Sequence, residues 1–162
     1  MTRLLRCVMC ALSVVLAVSG CRFAKRKAEP SEPRAIAHFF FTESGGSDFD
    51  DRTAYRLDYA DGYYTAVIKP AGVKEEKSRT VNVDGAYADR LEAILREYGV
   101  AEWNGFDEMD SDIMDGIGFT LDVKLADGSG IDAVGYMKWP PKYDEAARAF
   151  HGLFLEIYEK YR

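Results

Sequence analysis

From Ile36 onward the apolar residues of this chain recur at two spacings, every second residue or every third and fourth. Ile36 to Thr42 (I-A-H-F-F-F-T) is an apolar, aromatic run that suits a buried strand. A polar, Gly- and Asp-rich loop follows from Glu43 to Thr53. Tyr55, Leu57 and Tyr59 then alternate with Arg56 and Asp58, and Asp61-Gly62 turns the chain into Tyr64, Ala66 and Ile68, a hairpin with its turn chemistry in place. Pro70 to Ser78 is a charged loop, and Thr80 to Val83 is compatible with a short strand. Asp84 is placed to cap a helix running to about Tyr98, with Gly99 as its stop. Its stripe is Tyr87, Leu91, Ile94, Leu95 and Tyr98. After a loop, Phe119, Leu121, Val123 and Leu125 alternate with polar residues, and Asp127 to Gly130 turns the chain into Ile131 to Met137. Pro140-Pro141 opens a last helix with the stripe Tyr143, Ala147, Phe150, Phe154, Ile157 and Tyr161.

The order is β-ββ-α-ββ-α. Antiparallel hairpins with one wet face need a cover on the other, and two amphipathic helices supply it. The expected class is α+β, an antiparallel sheet of about five strands with both helices on one face. The two hairpins echo one another: Tyr55-x-Leu57-Asp58 leads to Asp61-Gly62, and Phe119-x-Leu121-Asp122 leads to Asp127-Gly128. Convergent hairpin chemistry explains the echo more cheaply than duplication does.

The first 34 residues follow neither period. Arg3 and Arg6 precede an apolar stretch from Cys7 to Val18, and Ser19-Gly20 supply small residues, the layout of a secretory signal. The stretch is shorter than the ~20 residues that a spanning helix needs. Val18-Ser19-Gly20-Cys21 resembles the lipobox of bacterial lipoproteins. That resemblance implies cleavage before Cys21, a diacylglyceryl group on its thiol and often an acyl chain on the new amine. Several chains are needed, because one acyl chain alone binds a bilayer marginally. Residues 22–34 carry Arg22, Lys25, Arg26, Lys27 and Arg34 with Pro30 and Pro33, and read as an extended tether reaching at most ~45 Å. The expected organisation is a signal at 1–20, a lipidated Cys and tether at 21–34, and one acidic domain at 35–162.

Charge and cysteines narrow the function. From Ile36 to the C-terminus there are 14 basic and 25 acidic side chains, a net of −11. Nucleic-acid binders present clustered Lys and Arg, so that class is excluded. Cys7, Cys10 and Cys21 are the three cysteines, and none follows residue 21. The domain therefore has neither disulfide nor thiolate metal site, and an ordinary core must hold it.

Candidate chemistry is sparse. Neither Ser44-Gly45-Gly46-Ser47 nor Gly128-Ser129-Gly130 is a nucleophile elbow. His38 and His151 are too few for a zinc site without H-E-x-x-H, and both read as structural or surface histidines. Residues 102–115 hold Glu102, Asp107, Glu108, Asp110, Asp112 and Asp115 with no base among them, but the spacing fails the EF-hand pattern, so a solvated acidic loop is expected. No catalytic residue, metal or cofactor is assigned. Trp103-Asn104-Gly105-Phe106, with the later D-G-x-x-F-x-L from Asp115 to Leu121, loosely resembles a recurrent pattern in small bacterial lipoproteins of unknown function, and it implies no activity. Trp103, Asn104, Phe106, Asp115 and Trp139 are the candidate binding residues, with seam packing the preferred role of the two tryptophans.

The expected function is a non-enzymatic binding or interaction lipoprotein outside the cytoplasm, held by membrane lipid through Cys21, with an envelope protein or wall polymer as partner. The alternative is an envelope hydrolase using acidic residues. The first expectation is directly measurable. Mass spectrometry of the mature N-terminus should find a lipidated peptide beginning at Cys21, and Cys21→Ala should abolish membrane partitioning. An unmodified peptide starting at or after residue 21 would be incompatible with the anchor.

Overall fold

The computed structural model describes residues 35–45, 52–113 and 115–161. The signal, the tether and Cys21 lie outside the described residues. The strands are β1 (Ile36–Ser44), β2 (Thr53–Ala60), β3 (Tyr63–Lys69), β4 (Arg79–Val83), β5 (Phe106–Met109), β6 (Gly118–Leu125) and β7 (Gly130–Tyr136). The helices are α1 (Ala86–Glu97), between β4 and β5, and α2 (Tyr143–Lys160), at the end. All seven strands join one sheet in the order β4-β3-β2-β1-β6-β7-β5.

The α+β class holds, and two details of the expectation are corrected. The sheet has seven strands rather than about five, and it is mixed, because β5 runs parallel to β7. Strand β4 is the segment whose short alternation was ambiguous. Strand β5 was read as acidic loop, since Asp107 and Glu108 are poor strand formers and all of β5 beyond Phe106 is exposed. Its pairing comes from β7, not from its own pattern. A short edge strand carrying charge is also how sheets avoid pairing with other chains.

The central strand is β1, paired antiparallel to β2 on one side and β6 on the other. Its apolar run is not buried on both faces as a strand inside a parallel sheet would be. A register shift between Ile36 and His38 inserts one residue, so Ile36, Phe39 and Phe41 are all fully buried although 36 and 39 are out of phase. Two rows of side chains then cross the sheet on this inner face. One is Ala66-Leu57-Phe39-Val123-Ile131; the other is Ile68-Tyr55-Phe41-Leu121-Ala133. Burying each large apolar side chain contributes about 1.5–3 kcal/mol, so these rows dominate the stability.

Both helices cover that face. On α2, Phe150 lies 5.1 Å from Phe39 and 5.2 Å from Phe41, and Phe154 stacks on Tyr55 at 4.8 Å. Helix α1 adds Tyr87, Ala88, Leu91 and Leu95, and the Arg90 fork on Glu156 ties it to α2. Gly99 ends α1 as expected, in the left-handed conformation at φ 68°. Asp84 does not cap α1 with its side chain; Gly85 stands at the cap, and the Asp84 carbonyl accepts from Tyr87 N–H instead. Pro140 and Pro141 precede α2, whose cap is Lys142.

A tight turn at Val100–Trp103 swings the indole of Trp103 under the α2 start, 1% exposed. Its Nε1–H donates to the Pro141 carbonyl at 3.0 Å, and its ring lies 5.8 Å from Tyr143 and 6.3 Å from Phe119. Truncating a buried aromatic typically costs about 3–5 kcal/mol, so Trp103→Ala should lose that much unfolding free energy in a urea titration. A variant with the wild-type midpoint would mean that the indole is not a seam element.

Candidate functional site

The inward phase of β1 does not stop at its last phenylalanine. Two residues beyond Phe41 it delivers Glu43 to the same side, beneath the first turns of α2. A carboxylate there must be paired, since burying a charge without partners is costly. Tyr143 and His151, eight residues apart on α2, meet it from above. The Tyr143 hydroxyl donates to Glu43 Oε1 at 2.7 Å. His151 Nε2 lies 2.7 Å from Glu43 Oε2, and His151 Nδ1 lies 3.0 Å from the Tyr55 hydroxyl.

The donor roles follow from chemistry. An ionised carboxylate only accepts, so Nε2 carries the proton; in the neutral imidazole Nδ1 then accepts from Tyr55. Burial raises the Glu43 pKa, but the hydrogen bonds from His151 and Tyr143 outweigh it and hold the value below the ordinary one. Burial pushes the Tyr55 phenol upward, and the Glu43 charge adds to it. Tyr143 moves the same way, by burial and then by its bond to Glu43. Each phenol therefore keeps its proton and remains a donor.

Above this cluster lies a shallow surface depression of about 380 Å³, lined by Glu43, Tyr143, Asp144, Ala147, Arg148 and His151. Asp144 and Arg148 are exposed on its rim, and Arg148 Nε donates to the Asp144 carbonyl at 3.0 Å. The rim therefore offers both signs of charge to a polar ligand.

Tyr143 also joins the depression to the aromatic residues singled out in the sequence. Trp139 is 39% exposed, 4.6 Å from Tyr143 and 5.7 Å from Phe119. Phe106 is half-buried and stacks on Phe119 at 6.1 Å. Trp103, Phe106 and Trp139 thus converge on one cluster, and Trp139 is the most exposed of the three. Trp103 has its ring buried, in the seam-packing role the sequence favoured for it. Asn104 is exposed, but its Oδ1 accepts the Asp132 N–H at 3.0 Å, tying the turn before β5 to β7. Asp115 is exposed, in the loop before β6.

Sequence reasoning missed Glu43, which was assigned to a loop, and it undervalued His151. The usable signal was the phase: continuing Phe39 and Phe41 by two residues puts Glu43 on the inner face, and His151 borders the inner stripe of α2. On the opposite, helix-free face, His38 Nδ1 lies 2.6 Å from Asp58 Oδ1, while Asp122 Oδ2 is 3.7 Å from Nε2. The two aspartates at matching places in the echoed hairpins flank one histidine. Among the described residues no three acidic, His or Cys side chains are gathered to hold a metal ion.

Compared with protein-family models and with curated proteins, the chain matches none.

The Glu43 shift sets a pH dependence. A carboxylate whose folded pKa is depressed contributes stability above its unfolded value, near ~4.3, and loses it as pH falls through the folded value. Glu43→Gln should therefore be less stable than wild type at neutral pH, and the gap should close below about pH 4. Thermal melts of the two proteins across that range test it; a gap independent of pH would contradict the ionised network.

Proposed function

We propose that the mature chain is a lipid-anchored, extracytoplasmic binding protein whose ligand-facing surface is the depression over Glu43 together with the exposed ring of Trp139. One observation carries the preference for binding over turnover: the polar cluster is closed on itself. Each Glu43 oxygen already has a donor, and both His151 nitrogens are engaged. A general acid needs a carboxyl group whose pKa is raised toward working pH, and Glu43 moves the other way. A general base needs a free lone pair aimed at substrate, and neither nitrogen of His151 offers one. Those are the features that the envelope-hydrolase alternative requires. A shallow rim bearing Asp144, Arg148 and an aromatic face suits recognition of a polar surface, for which an envelope protein or a wall polymer is the expected class.

Photocrosslinking in cells tests this reading. A photoreactive residue replacing Asp144 or Arg148 should trap a discrete adduct, lost when Trp139→Ala is added; the same residue at Thr80, on the distant β4 edge, should trap none. Equal adducts from all three positions, or none from the rim, would overturn the assignment.

A further inference from the structure

We propose that the depression sits at the membrane-distal pole of the domain, so that its ligand is reached from the side away from the anchoring bilayer and is not a headgroup of that bilayer. This rests on the lipid-anchored reading above and adds a direction to it.

The direction comes from the strand topology. The tether joins the domain at Ala35, whose carbonyl accepts from Ala126 N–H at 2.7 Å, inside the β6–β7 turn. The β2–β3 turn at Asp61-Gly62 lies at this same end, because β2 runs antiparallel to β1 and His38 pairs with Asp58. The entry pole is thus built of two tight turns. From there β1 runs along the sheet to Glu43, and the paired stretch of β6 from Leu125 to Phe119 spans six residues, ~20 Å at ~3.3 Å per residue. Everything in the candidate site is at that far end. Tyr143 and His151 bond to Glu43, Ser44 pairs with Gly118, and Gly118 pairs with Tyr136. The Asp110 N–H donates to the Tyr136 carbonyl, so the acidic segment beyond β5 shares the far pole.

Attachment at one end of a rigid sheet biases its height. The domain cannot enter the bilayer, so the end nearer the tether lies on average closer to it, even with a tether of up to ~45 Å.

The test uses the full lipidated chain in phosphatidylethanolamine–phosphatidylglycerol vesicles carrying a rhodamine-headgroup acceptor. Cys7 and Cys10 lie in the cleaved signal and the Cys21 thiol is occupied, so one added cysteine takes the donor dye. Ser129→Cys marks the entry pole and Ser111→Cys the far pole, both exposed turn positions. Energy transfer should be stronger from residue 129 than from residue 111, and deleting residues 24–31 should widen the contrast. Equal transfer, or stronger transfer from residue 111, overturns the inference while leaving the anchor standing. Failure of the protein to float with the vesicles sinks both.

Discussion

The central placement of β1 is the constraint on which the rest of the structure depends. It pairs on both sides, lies under α2, and contributes Ile36, Phe39 and Phe41 to the inner face, all without exposure. Side chains on a strand alternate between faces, so a slip of one residue would move the whole set to the wet side. The inserted residue near Ala37 is what reconciles Ile36 with that phase. Two hairpins flank this strand, and the two inner rows extend outward from Phe39 and Phe41 across five strands each.

The same phase creates the polar cluster. Once Phe39 and Phe41 point inward, Glu43 must as well, and an unpaired carboxylate there would be destabilising. Tyr143 and His151 relieve that cost with hydrogen bonds, which is why Glu43 stays ionised in spite of burial, and Tyr55 holds the other nitrogen of His151. A group so fully engaged contributes position and charge rather than proton transfer. In the binding role proposed for it, contact with a ligand would fall to the exposed neighbours, Trp139 and the charged rim of α2. Tyr143 couples the two halves by touching Trp139 with its ring and Glu43 with its hydroxyl.

Much of the architecture was legible because it rests on local periodicity. The β2–β3 hairpin, the stripes of α1 and α2, the stop at Gly99 and the acidic segment's exposure all follow from spacing or from one residue's backbone preference. Strand β5 was not legible, since four residues with two acids resemble a loop, and only β7 alongside makes them a strand. The cap of α1 was misread because Asp84 sits one residue too early and uses its backbone carbonyl. Trp103 and Trp139 were both recognisable as elements of a seam, but their different exposures depend on what folds over them.

By itself the sequence determined most of the elements and their inner faces, the absence of cysteine from the domain and the net acidity, because each is a property of neighbours along the chain or of composition. Only the tertiary structure decided which elements share an edge and which side chains meet. Glu43 and His151 are more than a hundred residues apart and carry no shared motif. Their contact exists because β1 ends where α2 begins its pass over the sheet, a coincidence of strand length, register and helix position that no local pattern encodes.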